Sequence, residues 1–185
     1  MSTATATPLM TAEEFANLPD PGAPQELVRG KVVWMTVPAP RHGYVCANVV
    51  AILREFVRSR DLGRVMGNDT GVITEHGPDT VRGADVAYYS FARLPRGPLP
   101  AKLGPEIPEL VVEVRSPSDR WREIHDKVNE YLKAGVLAVV VLDPDAETGH
   151  VFTSDDPPRS LTAIDELALP GALEGFRVVL GRFFE

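Results

Sequence analysis

The chain has a single cysteine, Cys46, which excludes an internal disulfide and zinc sites of the CxxC type. No apolar run approaches the roughly 18 residues of a membrane span. The opening "MSTATATPLM" has neither the basic nor the apolar segment of a signal peptide. These absences point to a cytoplasmic protein with no membrane partner. Positive charge is also scarce, with 19 Lys and Arg against 26 Asp and Glu and a net charge of −7. A protein that coats nucleic acid nonspecifically is disfavoured, because such binding depends on cations neutralising phosphates. A local basic site remains compatible with this balance: Arg93, Arg96, Lys102, Arg115, Arg120 and Arg122 make the middle of the chain more basic than the whole.

What is present is an ordinary globular composition, 44% apolar and 24% charged over 185 residues, enough for one domain with a substantial core. Residues 1–8 read as a disordered tail and 9–185 as a single domain. Thr11 and Glu14 in "TAEEF" form a capping-box pattern opening a short helix at about 11–17. "QELVRGKVVWMTV" predicts two strands turned at Arg29-Gly30. From about Arg41 to Arg60, Val45, Val49, Ile52, Leu53, Phe56 and Val57 recur at helical spacing. Cys46 falls on this helix and reads as a buried thiol.

"GRVMGND" and "GVITEH" then read as two short strands, with a turn around Gly77 to Asp79 and "ADVAYYS" as a third strand. Five prolines in residues 94–108 exclude a regular element there. "ELVVEV" predicts a strand. Ser118 or Asp119 can cap the helix "DRWREIHDKVNEYLKAG", Gly135 ends it, and "VLAVVVLD" reads as a strand buried on both faces. Strand, helix, strand over 109–142 is a βαβ unit with parallel strands. Short antiparallel strands are expected around "GHVFT" and "RSLTA", with "FRVVLGRFF" as a final strand or short helix. The fold class is α/β, with a mixed central β-sheet flanked by helices.

Two carboxylates are out of place in this pattern. The two-residue period puts Leu110, Val112 and Val114 on one face of their strand and Val111, Glu113 and Arg115 on the other. Asp85 lies in a β-prone run that disfavours Asp. An isolated buried carboxylate is costly without a cation, hydrogen bonds or a metal. Glu113 could pair with Arg115 and Asp85 could be solvated at a strand end. Alternatively, both could converge on a hard divalent cation such as Mg²⁺, which prefers carboxylate oxygens, polarises a phosphodiester and lowers the pKa of a water nucleophile.

The succession "ELVRG", "RGADVAYYS", "PELVVEVRSPSD", Lys127, "YLKAGV" and "VLDP" resembles the Uma-two family of restriction endonucleases within the PD-(D/E)xK nuclease superfamily, over about residues 9 to 184. The resemblance implies a restriction-endonuclease-like core and metal-dependent cleavage of DNA, with Mg²⁺ or Mn²⁺ as cofactor. On matching positions Asp85 and Glu113 would hold the metal and Lys127, on the following helix, would position the water. Glu26 would be a further metal or water-shell ligand, and His42 a phosphate or water contact. Tyr131 could hydrogen-bond the site through its hydroxyl, but core packing is the favoured reading. Lys127 could instead form an ordinary helix pair with Glu123.

Three departures from the family pattern stand out. "RGADV" lacks the proline that usually precedes the aspartate. Ala138, Val139 and Val140 replace a glutamate and aromatics. Arg115 stands where the superfamily usually has its lysine, and arginine is better suited to steadying a phosphate or neutralising Glu113 than to accepting a proton. DNA is the implied partner, and a homodimer would suit double-strand cleavage. The alternatives are a noncatalytic interaction or regulatory domain on a nuclease scaffold, or a hydrolase of small phosphoesters.

Overall fold

The computed structural model describes residues 8–19 and 22–185. The expected disordered tail over 1–8 lies outside the described residues except at Pro8. Helix α1 spans Ala12–Ala16. Its capping box forms, the Thr11 hydroxyl accepting the Glu14 N–H while the Glu14 carboxylate accepts the Thr11 N–H. Strands β1 (Gln25–Val28) and β2 (Lys31–Trp34) make the predicted hairpin. Arg29 and Gly30 both have positive φ, 49° and 73°, the left-handed pair that a two-residue hairpin turn requires. Helix α2 (Pro40–Ser59) buries Val45, Val49, Leu53 and Val57, the stripe expected from its spacing.

Residues 63–76 correct the sequence reading. The two short strands expected there are one, β3 (Gly63–Glu75), paired along its length with β4 (Thr80–Ser90). Asn68 and Asp69 have φ of 65° and 53°, and the register shifts between Gly67 and Thr70. The break expected between the two strands is a β-bulge, which admits positive φ without ending the strand.

The βαβ unit forms as expected from β5 (Leu110–Val114), α3 (Trp121–Ala134) and β6 (Ala138–Asp143), with β5 and β6 parallel from Leu110↔Ala138 to Val114↔Leu142. Every residue of β6 is buried. Gly135, at φ 103°, ends α3, but its N-cap is Arg120 and makes no side-chain cap. Neither Ser118 nor Asp119 caps the helix; the Asp119 carboxylate accepts the Ser116 N–H, closing the preceding turn instead. Beyond this unit come β7 (Thr148–Phe152), β8 (Arg159–Thr162), β9 (Glu166–Leu169) and β10 (Leu173–Val179), then a 3₁₀ turn at Leu180–Phe183. The segment expected as strand or helix is both in succession, and β9 was not anticipated.

The main sheet runs β2-β1-β4-β5-β6-β7-β8, with β3 on β4, while β9 and β10 form a separate pair. Val112, Val114, Val140 and Leu142 face α2, where Leu167, Leu173, Phe176 and Phe183 complete the core. On the other face Val111, Val139 and Val141 pack with Ile124, Val128 and Tyr131 of α3. This is the mixed sheet flanked by helices that the sequence predicted. One detail of pairing creates the site. Because β3 occupies one edge of β4, β1 and β5 must share the other: β1 joins at Leu27↔Val81 and β5 from Val86↔Val112. The two strands part between Val81 and Val86, and a cleft opens there.

Candidate active site

The cleft has a volume of about 450 Å³ and is lined by Glu26 of β1, His42 and Cys46 of α2, Asp85 of β4, Glu113 and Arg115 at the end of β5, and Lys127 of α3. Five separated stretches of chain thus deliver polar groups to one place. The alternation in β5 explains Glu113: Val112 and Val114 go to the α2 core, so Glu113 faces α3, where the Tyr131 hydroxyl donates to its Oε1 at 2.9 Å. One turn before Tyr131, Lys127 places its Nζ 3.7 Å from Glu113 Oε2 and 2.8 Å from Glu26 Oε1. No ion pair joins Lys127 to Glu123 among the described residues; the lysine turns to the sheet instead.

Asp85 sits where the strands part. Its Oδ2 accepts the Val114 N–H at 2.7 Å, so the side chain ties β4 to the end of β5. The same oxygen lies 3.3 Å from His42 Nε2, while His42 Nδ1 is 3.6 Å from Cys46 Sγ. His42 and Cys46 meet because they are four residues apart on α2.

Glu26 has more partners than its sequence position suggested. It takes the Lys127 ammonium, the Arg82 guanidinium at 2.8 Å and the Gly83 N–H at 3.2 Å. Arg82 also grips Glu130 of α3 with two bonds, of 2.6 and 2.9 Å. Arg82, Glu130 and Glu26 are all buried, and each charge has an opposite partner, as burial demands. Glu26 therefore serves first as the anchor of Lys127.

Arg115 departs from the expectation that it projects beside Glu113. Strand β5 ends at Val114, and the Arg115 N–H bonds the Leu142 carbonyl. Its side chain reaches Asp143 Oδ2 at 2.7 Å, with the guanidinium carbon 5.5 Å from the centre of the Trp121 ring. It still lines the cleft, but it does not neutralise Glu113.

The electrostatics follow from this crowding. Burial, with Asp85 and Glu26 nearby, pushes the Glu113 carboxyl up to about 8 against the opposing pull of Lys127 and the Tyr131 hydrogen bond. Burial alone would lower Lys127, but Glu113 and Glu26 outweigh it and hold the ammonium well above its ordinary value. Burial would likewise raise Glu26, yet Lys127 and Arg82 keep it below the usual carboxylate range. Burial opposes the His42 imidazolium, and Asp85 more than compensates, so His42 is raised. Burial and the neighbouring carboxylates push the Cys46 thiol far up, so it stays protonated. Asp69, on the β3 bulge at the cleft, is raised by burial and by Asp85.

Such a surplus of carboxylate oxygen fits a hard divalent cation, with Asp85 and Glu113 the oxygens aimed into the cleft. His42, Cys46 and Asp85 also bring one potential ligand atom each within 4.8 Å of one another. Asp85 is common to both sets. Sequence reasoning missed Asp69, Cys46, Arg82, Glu130 and Asp143. A buried Arg in β4 was the one available signal, since it demands carboxylate partners.

A mixed sheet flanked by helices, with its polar cleft at the fork of the central strands, defines an α/β protein. The chain belongs to the Uma2 family, described as putative restriction endonuclease, whose model matches residues 12–181. Its fold is similar to the crystal structure of a putative nuclease belonging to DUF820 from Anabaena variabilis ATCC 29413, with a TM-score of 0.78 at 18% identity over 95% of this chain and 97% of that one. No curated protein matches the chain. No helix among the described residues is long and apolar enough to cross a membrane.

Proposed function

We propose that the protein is a divalent-metal-dependent endonuclease hydrolysing DNA phosphodiester bonds, with Asp85 and Glu113 as ligands of Mg²⁺ or Mn²⁺ and Lys127 as the residue that orients the attacking water. The observation that carries this reading is the meeting of Lys127 Nζ with Glu113 and Glu26 in a cleft that also holds Asp85. When bound, a divalent ion polarises the phosphodiester and lowers the pKa of a water nucleophile.

The chain's own residues supply the rest. Lys127 remains an ammonium, so it donates hydrogen bonds to the water or to a phosphate oxygen rather than removing a proton. Glu26, fixed by Arg82 and the Gly83 N–H, sets the position of that amine. Tyr131 fixes one Glu113 oxygen and leaves the other toward Lys127. Arg115, braced by Asp143, stands at the cleft wall to steady the scissile phosphate. His42 is placed to take a water or phosphate contact beside Asp85.

Incubation with DNA and Mg²⁺ or Mn²⁺ tests the proposal. The wild-type chain should nick DNA, and Asp85→Ala, Glu113→Ala and Lys127→Ala should each abolish cleavage while retaining the circular-dichroism spectrum of the parent. A second reading, a noncatalytic interaction domain, is favoured by one specific observation: Lys127 and His42 already stand 3.7 and 3.3 Å from Glu113 and Asp85, the places a metal would take. DNA left intact by a wild-type chain that also binds no metal would select that reading.

A further inference from the structure

We propose that His42, Cys46 and Asp85 form a second metal site, selective for a borderline ion such as Zn²⁺, which withdraws Asp85 from Mg²⁺ and halts cleavage. The site stands on its own geometry, whereas the inhibition rests on the nuclease reading of the cleft.

The first argument is the convergence of three unlike ligands. His42 and Cys46 are four residues apart on α2, the spacing at which two side chains on one helix face reach a common ion. Asp85 comes to them from β4, its Oδ2 3.3 Å from His42 Nε2, while His42 Nδ1 lies 3.6 Å from Cys46 Sγ. One donor atom from each residue lies within 4.8 Å of the other two. Bonds of roughly 2.0–2.3 Å to a tetrahedral ion put its donors about 3.4–3.6 Å apart. Small side-chain adjustments therefore separate the resting donors from a bound ion.

The second argument is the setting of the thiol. Its sequence position suggested a buried core cysteine, yet Cys46 is only partly buried and lines the polar cleft. The carboxylates of Asp85, Asp69 and Glu113 all act on it. A thiol that meets an imidazole and faces carboxylates stands among metal ligands. Mg²⁺ takes oxygen donors and keeps its waters, whereas thiolate and imidazole suit Zn²⁺. Three protein ligands with a fourth position left to water is an ordinary coordination for that ion. The thiol is protonated in the metal-free cleft. On coordination the S–H bond breaks, sulfur binds as thiolate and the proton passes to solvent.

The third argument is that the two ions compete for one carboxylate. Asp85 cannot swing freely between them, because its Oδ2 accepts the Val114 N–H at 2.7 Å. Helices α2 and α3 cover opposite faces of the sheet, with Val112 and Val114 toward α2 and Glu113 toward Tyr131 of α3. An ion drawn to His42 and Cys46 is thus drawn away from Glu113 and Lys127.

Co²⁺, which accepts the ligands and geometry of Zn²⁺, is the spectroscopic probe for the full chain. It should bind with the near-ultraviolet band of a thiolate-to-cobalt bond, which only Cys46, the single cysteine, can supply. Zn²⁺ should erase the band by displacement, and excess Mn²⁺ should weaken it. His42→Ala should weaken Co²⁺ binding by at least about 10- to 100-fold, the loss seen when even a partner of a ligand is removed. Cys46→Ser should lose the band, and both variants should keep the circular-dichroism spectrum of the parent. In the cleavage assay Zn²⁺ should stop the Mn²⁺-supported reaction, and Cys46→Ser should require at least about tenfold more Zn²⁺ for the same inhibition. Absence of the band at saturating Co²⁺, or Co²⁺ affinity unchanged in His42→Ala, would overturn the site. A band indifferent to Mn²⁺, or cleavage undiminished with Zn²⁺ bound, would overturn the competition. A chain that shows the band and cuts no DNA with any ion would fail the nuclease reading and leave the metal site standing.

Discussion

The Nζ of Lys127 lies 2.8 Å from the Oε1 of Glu26, although the two residues belong to α3 and β1, far apart in the chain. This contact turns a helix-surface lysine into part of the cleft. Replacing Lys127 by Met should lower DNA cleavage by at least about 10²–10³-fold, the usual loss when a fixed hydrogen-bond donor is removed from a reacting centre. Because the ammonium does not act as a base, Lys127→Arg should retain more activity than Lys127→Met, and initial rates on plasmid DNA compare the two.

Arg82 holds the other side of Glu26. Arg82→Ala strips the buried Glu26 and Glu130 carboxylates of their shared cation. The expected cost is about 3–5 kcal/mol, as for other buried pairs broken from one side. Thermal unfolding of this variant checks the figure, and Arg82→Ala with Glu130→Gln should recover part of the loss.

Glu113 is the group whose ionisation the fold resists. Its carboxyl ordinarily titrates near 4.5 and is pushed up to about 8 here. The contribution is therefore fully favourable below about pH 4.5 and is lost as pH rises through 8. Without added metal, Glu113→Gln should match the wild-type melting temperature at pH 4.5 and exceed it at pH 9, by roughly 2–4 °C for each kcal/mol relieved. The same variant should lose cleavage.

The pair of donor sets around Asp85 predicts a split between metals. Imidazole and thiol prefer Zn²⁺, whereas carboxylates suit Mg²⁺ and Mn²⁺. Cys46→Ser should weaken Zn²⁺ binding and leave Mg²⁺-supported cleavage within a few-fold of the parent. Parallel titrations with the two ions measure the difference.

Local rules made much of this fold legible. The Thr11–Glu14 cap, the Arg29-Gly30 turn, the α2 stripe and the βαβ unit each follow from a few neighbouring residues. The placing of Glu113 on the strand face opposite Val112 and Val114 also followed from alternation. What was not legible depends on distance or on ambiguous backbone chemistry. Asn68-Asp69 favours positive φ equally in a turn and in a bulge, so sequence could not say that β3 continues. The partners of Arg82 lie 56 and 48 residues away, and the Asp143 that captures Arg115 lies 28 away. Arg115 was misplaced because alternation was extended one residue past the end of β5. Nothing local announced that β1 and β5 part along β4, and that parting forms the cleft.

Titration calorimetry of Mn²⁺ into the wild-type chain, run at pH 6, 7, 8 and 9, bears hardest on Asp85 and Glu113 as metal ligands. Binding should strengthen with pH up to about 8, as Glu113 gives up its proton to admit the ion. Asp85→Ala and Glu113→Ala should both abolish the heat. A wild-type chain that shows no heat at any of these pH values, or binding that survives both substitutions, would contradict the metal-dependent reading of the cleft.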